Sequence, residues 1–159
     1  YNEFSKVLFF HNQNFENSEI QLLYDLTNGS PGLALELITE DIIYIFDNIV
    51  NICKEKKYHS KEIMDLSILL GNKSNENYKF FLSLFKFILI NITKNNLGVS
   101  LKNKFSSKIF DKLSDLSNNL NTKTCVKTLN YLNNYEYDLF TLNLDKKIFT
   151  INLLAELDN

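Results

Sequence analysis

A chain of 159 residues, 45% hydrophobic and 23% charged, is long enough to bury one sizeable core, or one core plus a small satellite. Its net charge of -2 and pI near 5.7 argue against a general binder of nucleic acid or of a membrane surface, since such proteins carry a basic excess. All 17 basic residues are lysine, so the planar guanidinium used for bidentate phosphate recognition is missing throughout.

Apolar residues recur at spacings of three and four, without the alternation of half-buried strands, so the expected fold class is all-α. The segment 3–12 reads as a short helix. Asn17 or Ser18 is placed to cap a second, with Ile20, Leu23, Tyr24 and Thr27 on one side. Asn28-Gly29 then supplies a stop, because glycine tolerates the left-handed conformation that ends helices. Ser30 suits the cap of the next helix and Pro31 its first position, so the chain turns from helix to helix with almost no loop.

A longer helix is expected over 39–56, with an apolar stripe of Ile42, Ile45, Phe46, Ile49 and Cys53. After a hinge at 56–59, Ser60 is expected to cap a helix that Gly71 ends. Residues 75–94 form the most apolar helix. Its polar stripe is limited to Lys79, Ser83 and Lys86, so protein should surround it nearly completely. Its core run, 80–92, is too short for a bilayer and is broken by Lys86, which argues for a buried helix and no membrane span. A loop over 94–104 leads to two amphipathic helices. Ile109, Leu113, Leu116 and Leu120 mark one, and Cys125, Leu129, Leu132 and Leu139 the other. Asn143 and Asp145 flank a break before the closing helix. The chain starts at Tyr1 without methionine and without a signal peptide, and is read as a cytoplasmic fragment of a longer protein.

Catalytic and metal-binding patterns are missing from the sequence: there is no G-x-S-x-G, no phosphate loop ending in G-K-[ST], and no C-x-x-C. His11 and His59 each lack a second ligand at metal spacing, and neither a metal nor a cofactor is expected. Glu36, Glu40 and Asp41 lie close along one helical path, where a solvated acidic face is the plainer reading than general acid–base work. Cys53 and Cys125 fall on apolar faces and are expected to be reduced core residues. Lys94, Lys102, Lys104, Lys108 and Lys112 form the basic cluster, read as a soluble face interleaved with Asp111 and Asp115 and not as a DNA contact. The corner at 28–33 presents amides at Gly32 and Leu33 to an incoming anion, but Pro31 removes one donor and no lysine lies in the turn. Its plainer reading is a tight helix–helix corner in which Gly32 admits another backbone.

The stretch LTNGSPGLALEL, 26–37, resembles the "GSPG.AL" segment in the lid domain of the delta-prime family of bacterial DNA polymerase III clamp-loader subunits, within the AAA+ superfamily. Two less specific patterns follow in the same order: 77–92 is similar to the long apolar helix of that family's C-terminal domain, and 142–157 to its closing helix. The resemblance implies a lid-domain remnant over 1–40, a helical collar domain over 41–159, and an ATPase domain with a zinc module and an arginine motif upstream. It implies no catalytic site in this portion. Partners would be the gamma/tau and delta subunits, met through the collar. Gly29, Ser30, Pro31, Gly32 and Leu33 would be a degenerate sensor-2 corner. Leu33 follows Pro31-Gly32 where a working ATPase presents an arginine to phosphate, and an aliphatic side chain stabilises no such charge. That departure favours delta-prime over the ATP-binding gamma/tau family, whose motif is closer to "GSxRDAL". Two other readings stay open: a helical interaction or adaptor domain unrelated to replication, and a helical nucleic-acid binder using the lysines from 102 to 112.

Overall fold

The computed structural model describes residues 1–11, 15, 17–38, 42–56, 60–101, 105 and 107–158. These residues form helices and no strand: α1 (Asn2–His11), α2 (Asn17–Thr27), α3 (Pro31–Ile38), α4 (Ile42–Glu55), α5 (Lys61–Gly71), α6 (Asn75–Asn96), α7 (Ser107–Asn119), α8 (Thr122–Thr141) and α9 (Lys146–Ala155), with a closing 3-10 turn at Glu156–Asp158. The all-α expectation holds. No described helix is long and apolar enough to cross a membrane.

The helix ends follow from local chemistry. Ser74, Asn121 and Asp145 accept hydrogen bonds from the amides of Asn77, Thr124 and Ile148 at 3.2, 2.9 and 2.9 Å, satisfying donors that a helix start leaves open. At the other end, Asn28, Gly98 and Asn143 take positive φ. Behind each, an amide reaches back five residues: Gly29 to Tyr24, Val99 to Lys94 and Leu144 to Leu139, at 2.9, 2.9 and 3.0 Å. Two expected starts differ. Asn17 is already helical in α2. Ser60 occupies the cap position of α5, but its hydroxyl makes no capping bond and is buried with no partner among the described residues.

α6 is the hub, touched by α4, α5, α7 and α8. Tyr78, Phe81, Leu82, Leu84, Phe85, Ile88, Leu89 and Ile92 are all buried along it, while Lys79 and Ser83 stay exposed, as the sequence pattern predicts. Lys86 is half-buried and pairs with Glu136 of α8. α4 is more enclosed than its expected stripe, because Val50 and Ile52 are buried as well as Ile45, Phe46, Ile49 and Cys53. α5 lies close along α9, where a Cβ on Gly71 would stand 3.2 Å from the Lys147 Cβ. α1, α2 and α3 pack on one another, and α2 also meets α7. Buried apolar side chains form one cluster from Phe4 to Leu157.

The Tyr78 hydroxyl ties α6 to α9. It lies 2.7 Å from the Thr150 hydroxyl, which itself donates to the Lys146 carbonyl at 2.8 Å. Burial is the main cause that pushes the Tyr78 phenol well above its ordinary pKa, so it stays a donor. Tyr78→Phe removes this bond and the 3.2 Å bond that the Tyr78 hydroxyl donates to the Lys146 carbonyl, yet leaves Thr150 donating to Lys146. It should lower unfolding stability by about 1 kcal/mol, read as a lower urea midpoint at unchanged slope.

Candidate functional site

The α2–α3 corner is built on an aromatic base. Tyr24 of α2 meets Phe4 and Tyr1 edge-on, with ring centroids 5.2 and 5.4 Å apart. The chain then reverses through Asn28 and Gly29, at φ values of 49° and 77°. Gly29 sits directly on the Tyr24 ring: an added Cβ would lie 2.9 Å from a ring carbon. Its amide also closes the bond to the Tyr24 carbonyl. Ser30 donates to Thr27 at 3.1 Å, and its carbonyl accepts from Ala34 at 3.1 Å to start α3. Gly29 thus serves two needs, a left-handed backbone and contact with an aromatic face.

Gly32 corrects an expectation. Among the described residues nothing lies within 4 Å of where its Cβ would be, so none of them brings a second backbone against it. The close approach foreseen there occurs at Gly71 instead. Pro31 is half-buried, Ser30 and Gly32 are exposed, and Ala34 is fully buried beneath them.

Leu33 projects beside a small cavity of about 230 Å³ lined by Leu26, Leu33, Leu37, Phe80, Ser83, Leu84 and Phe87. α2 and α3 give one wall and α6 the other. Leu33 keeps 38% of its surface exposed there. Among the described residues no ionisable group lines the cavity, and the side chains that do line it cannot move a proton or neutralise a phosphate. It is a place for apolar matter. A neighbouring open depression, lined by Glu36, Glu76, Asn77, Lys79 and Phe80, shares Phe80 with it. Sequence periodicity marked α6 as apolar, but the cavity also needs α3 to lie opposite Phe80 and Phe87, and no local pattern announces that.

The other candidates stay apart. His11 is exposed at the end of α1 beside the Phe10 ring. Glu36 is exposed; His59, Glu40, Asp41, Lys102 and Lys104 lie outside the described residues, as does the side chain of Lys108. Among the described residues no three His, Cys, Asp or Glu side chains are grouped to hold a metal ion. Of the basic cluster, Lys94 is exposed and Lys112 pairs with Asp47 while sitting 5.5 Å over the Phe46 ring. Asp115 meets Lys54 at 3.1 Å. Lys112 therefore serves packing between α4 and α7, which differs from the solvated face expected there: its partner and that of Asp115 both lie on α4.

Cys53 and Cys125 are buried thiols, as expected. Burial pushes Cys53 up to about 12 and Cys125 up to about 11. Compared with known proteins, the chain matches no family model, no curated protein and no solved structure.

Two outcomes follow from this geometry. Gly29→Ala should destabilise by about 1–2 kcal/mol from the left-handed backbone alone, whereas Gly32→Ala should stabilise by about 0.4–1 kcal/mol. Urea melts of the pair showing the same sign would refute this account of the corner. Both thiols stay protonated at pH 8 in the native protein, so a disulfide reagent should modify them only as fast as the chain unfolds. Stoichiometric labelling within seconds, without denaturant, would contradict their burial.

Proposed function

We propose that this chain is the lid and collar portion of a clamp-loader subunit of the delta-prime type, with a mechanical and not a catalytic role. On this reading residues 1–40 are the lid remnant and 41–159 the collar, the gamma/tau and delta subunits are its partners, and the cytoplasm is its place of action. Collar helices would pack against neighbouring subunits and hold the ring, while ATP hydrolysed in other subunits opens the sliding clamp and loads it on DNA.

The observation that carries the reading is the corner. GSPGLAL resembles the family's segment, and Leu33 stands at the position of a sensor arginine with an apolar cavity at its side. An all-helical chain accords with lid and collar. Exposed apolar residues on α5 and around the α8–α9 turn (Met64, Ile68, Leu142, Leu144 and Ile148) offer surface of the kind that subunit interfaces cover. The same exposed residues also support a second reading, a helical interaction domain unrelated to replication.

Mixing the chain with gamma/tau and delta subunits from the same source separates the two. Co-elution on size exclusion at tens of micromolar is expected, and Ile68→Asp with Ile148→Asp should abolish it without loss of helicity. Failure to associate at that concentration, with the helices intact, would count against the clamp-loader reading.

A further inference from the structure

The sequence holds one Asn-Gly step, Asn28-Gly29, and the fold places it in the α2–α3 corner. Such a step is reactive toward its own chain. The glycine amide nitrogen, once deprotonated, can attack the asparagine side-chain carbonyl carbon, and glycine has no side chain to obstruct the approach. Asn28 is exposed, so water and hydroxide reach its carboxamide. Asn143 takes the same left-handed φ, but Leu144 follows it and crowds the amide that would attack.

The closed corner restrains this reaction without removing it. The Gly29 N–H donates to the Tyr24 carbonyl at 2.9 Å, so the nitrogen that must lose its proton is occupied. The Tyr24 ring lies against Gly29, close enough that an added Cβ would stand 2.9 Å from a ring carbon. Phe4 and Tyr1 back that ring edge-on. These contacts are local, so the corner opens at less cost than the whole core.

From this pairing of an exposed Asn-Gly step with a hydrogen-bonded, ring-backed amide we infer that Asn28 is a self-modification site, latched by Tyr24, whose conversion to isoaspartate alters the α2–α3 corner irreversibly. In the open corner hydroxide takes the Gly29 amide proton and the nitrogen bonds to Asn28 Cγ. The Cγ–Nδ2 bond breaks, and ammonia leaves with a proton from water, which regenerates hydroxide. Water then opens the succinimide ring. Breaking the bond from the nitrogen to Cγ gives aspartate; breaking the bond to the backbone carbonyl carbon gives isoaspartate, whose main chain runs through Cβ and Cγ. Isoaspartate lengthens the main chain by one carbon–carbon bond, about 1.5 Å. That insertion falls inside the turn closed by the Gly29–Tyr24 bond. The turn sets Leu33 and Leu37 opposite Phe80 and Phe87, so the product loosens α3 from α6. This chemistry needs no partner and holds whichever role the chain has.

The test incubates the full chain at mildly alkaline pH and follows it by peptide mapping with mass spectrometry. The same chain held unfolded in urea gives the unlatched rate. Native Asn28 should react at least about tenfold more slowly than this reference, and Tyr24→Ala should speed it at least about threefold, in step with faster hydrogen exchange of the Gly29 amide. Phe4→Leu, which withdraws a backing ring, serves as the second variant should Tyr24→Ala fail to fold. The isolated isoaspartyl chain should show shifted Leu33 and Leu37 methyl resonances, whereas Asn28→Asp, which adds the charge without the extra carbon, should leave them near their native positions. Equal native and unfolded rates, or a reaction that ignores faster Gly29 exchange, would overturn the latch. Aspartate without isoaspartate would overturn the ring intermediate, and unshifted leucine methyls in the isoaspartyl chain would overturn the loosening of α3.

Discussion

A helix of 22 residues that buries nine side chains along one broad face must be covered there, and the packing of the neighbouring helices answers that demand. α6 has too little polar surface to sit at an edge. α4, α5, α7 and α8 therefore close around it, and α9 is fastened to it by the Tyr78–Thr150 contact. The few charges near α6 are accommodated at its margin. Lys86 reaches Glu136, and Lys79 lies over Phe140, so each long aliphatic stem covers apolar surface while its head finds a partner.

Enclosure brings polar atoms inside, and the chain settles most of them locally. Thr27, Thr93, Thr128 and Thr150 donate to carbonyls four residues back, at 2.7, 2.8, 3.0 and 2.8 Å. Such bonds let a hydroxyl occupy a core position without a tertiary partner. The chain ends turns by similarly local means. With 4 glycines in all, it uses asparagine at 28 and 143 for the left-handed residue that closes a helix. Short side chains thus settle both the buried hydroxyls and several of the helix ends.

Most of this was legible in the sequence because helices are written locally. Periodicity located the elements and the enclosed α6, and residue types foretold the stop at Asn28-Gly29 and the burial of both cysteines. What failed was what depends on a second element. A glycine's meaning is set by its neighbour across the interface, which is why Gly32 faces open space and Gly71 faces Lys147. Ser60 has the chemistry of a cap, yet its hydroxyl makes no capping bond. Val50 and Ile52 flank the stripe read from α4 and are buried because more than one helix covers it. The cavity beside Leu33 belongs to the same class, since it joins residues some fifty positions apart in sequence.

The corner shows how a structural device and a chemical one can be separated. A helix start recognises an anion through free amides and a nearby counter-charge. Pro31 takes one amide away, and Leu33 puts hydrocarbon where the charge would be needed. The elements that shape the turn are all in force: the left-handed pair Asn28-Gly29, the Tyr24 ring beneath it, and Ser30 opening α3. These groups fix the angle between α2 and α3, and that angle holds Leu33 and Leu37 opposite Phe80 and Phe87. An arginine at 33 would place a hydrated cation at the mouth of an apolar hollow, where its charge has no counterpart among the described residues of the lining. The angle set at this corner therefore decides what lies opposite the side chain after Gly32.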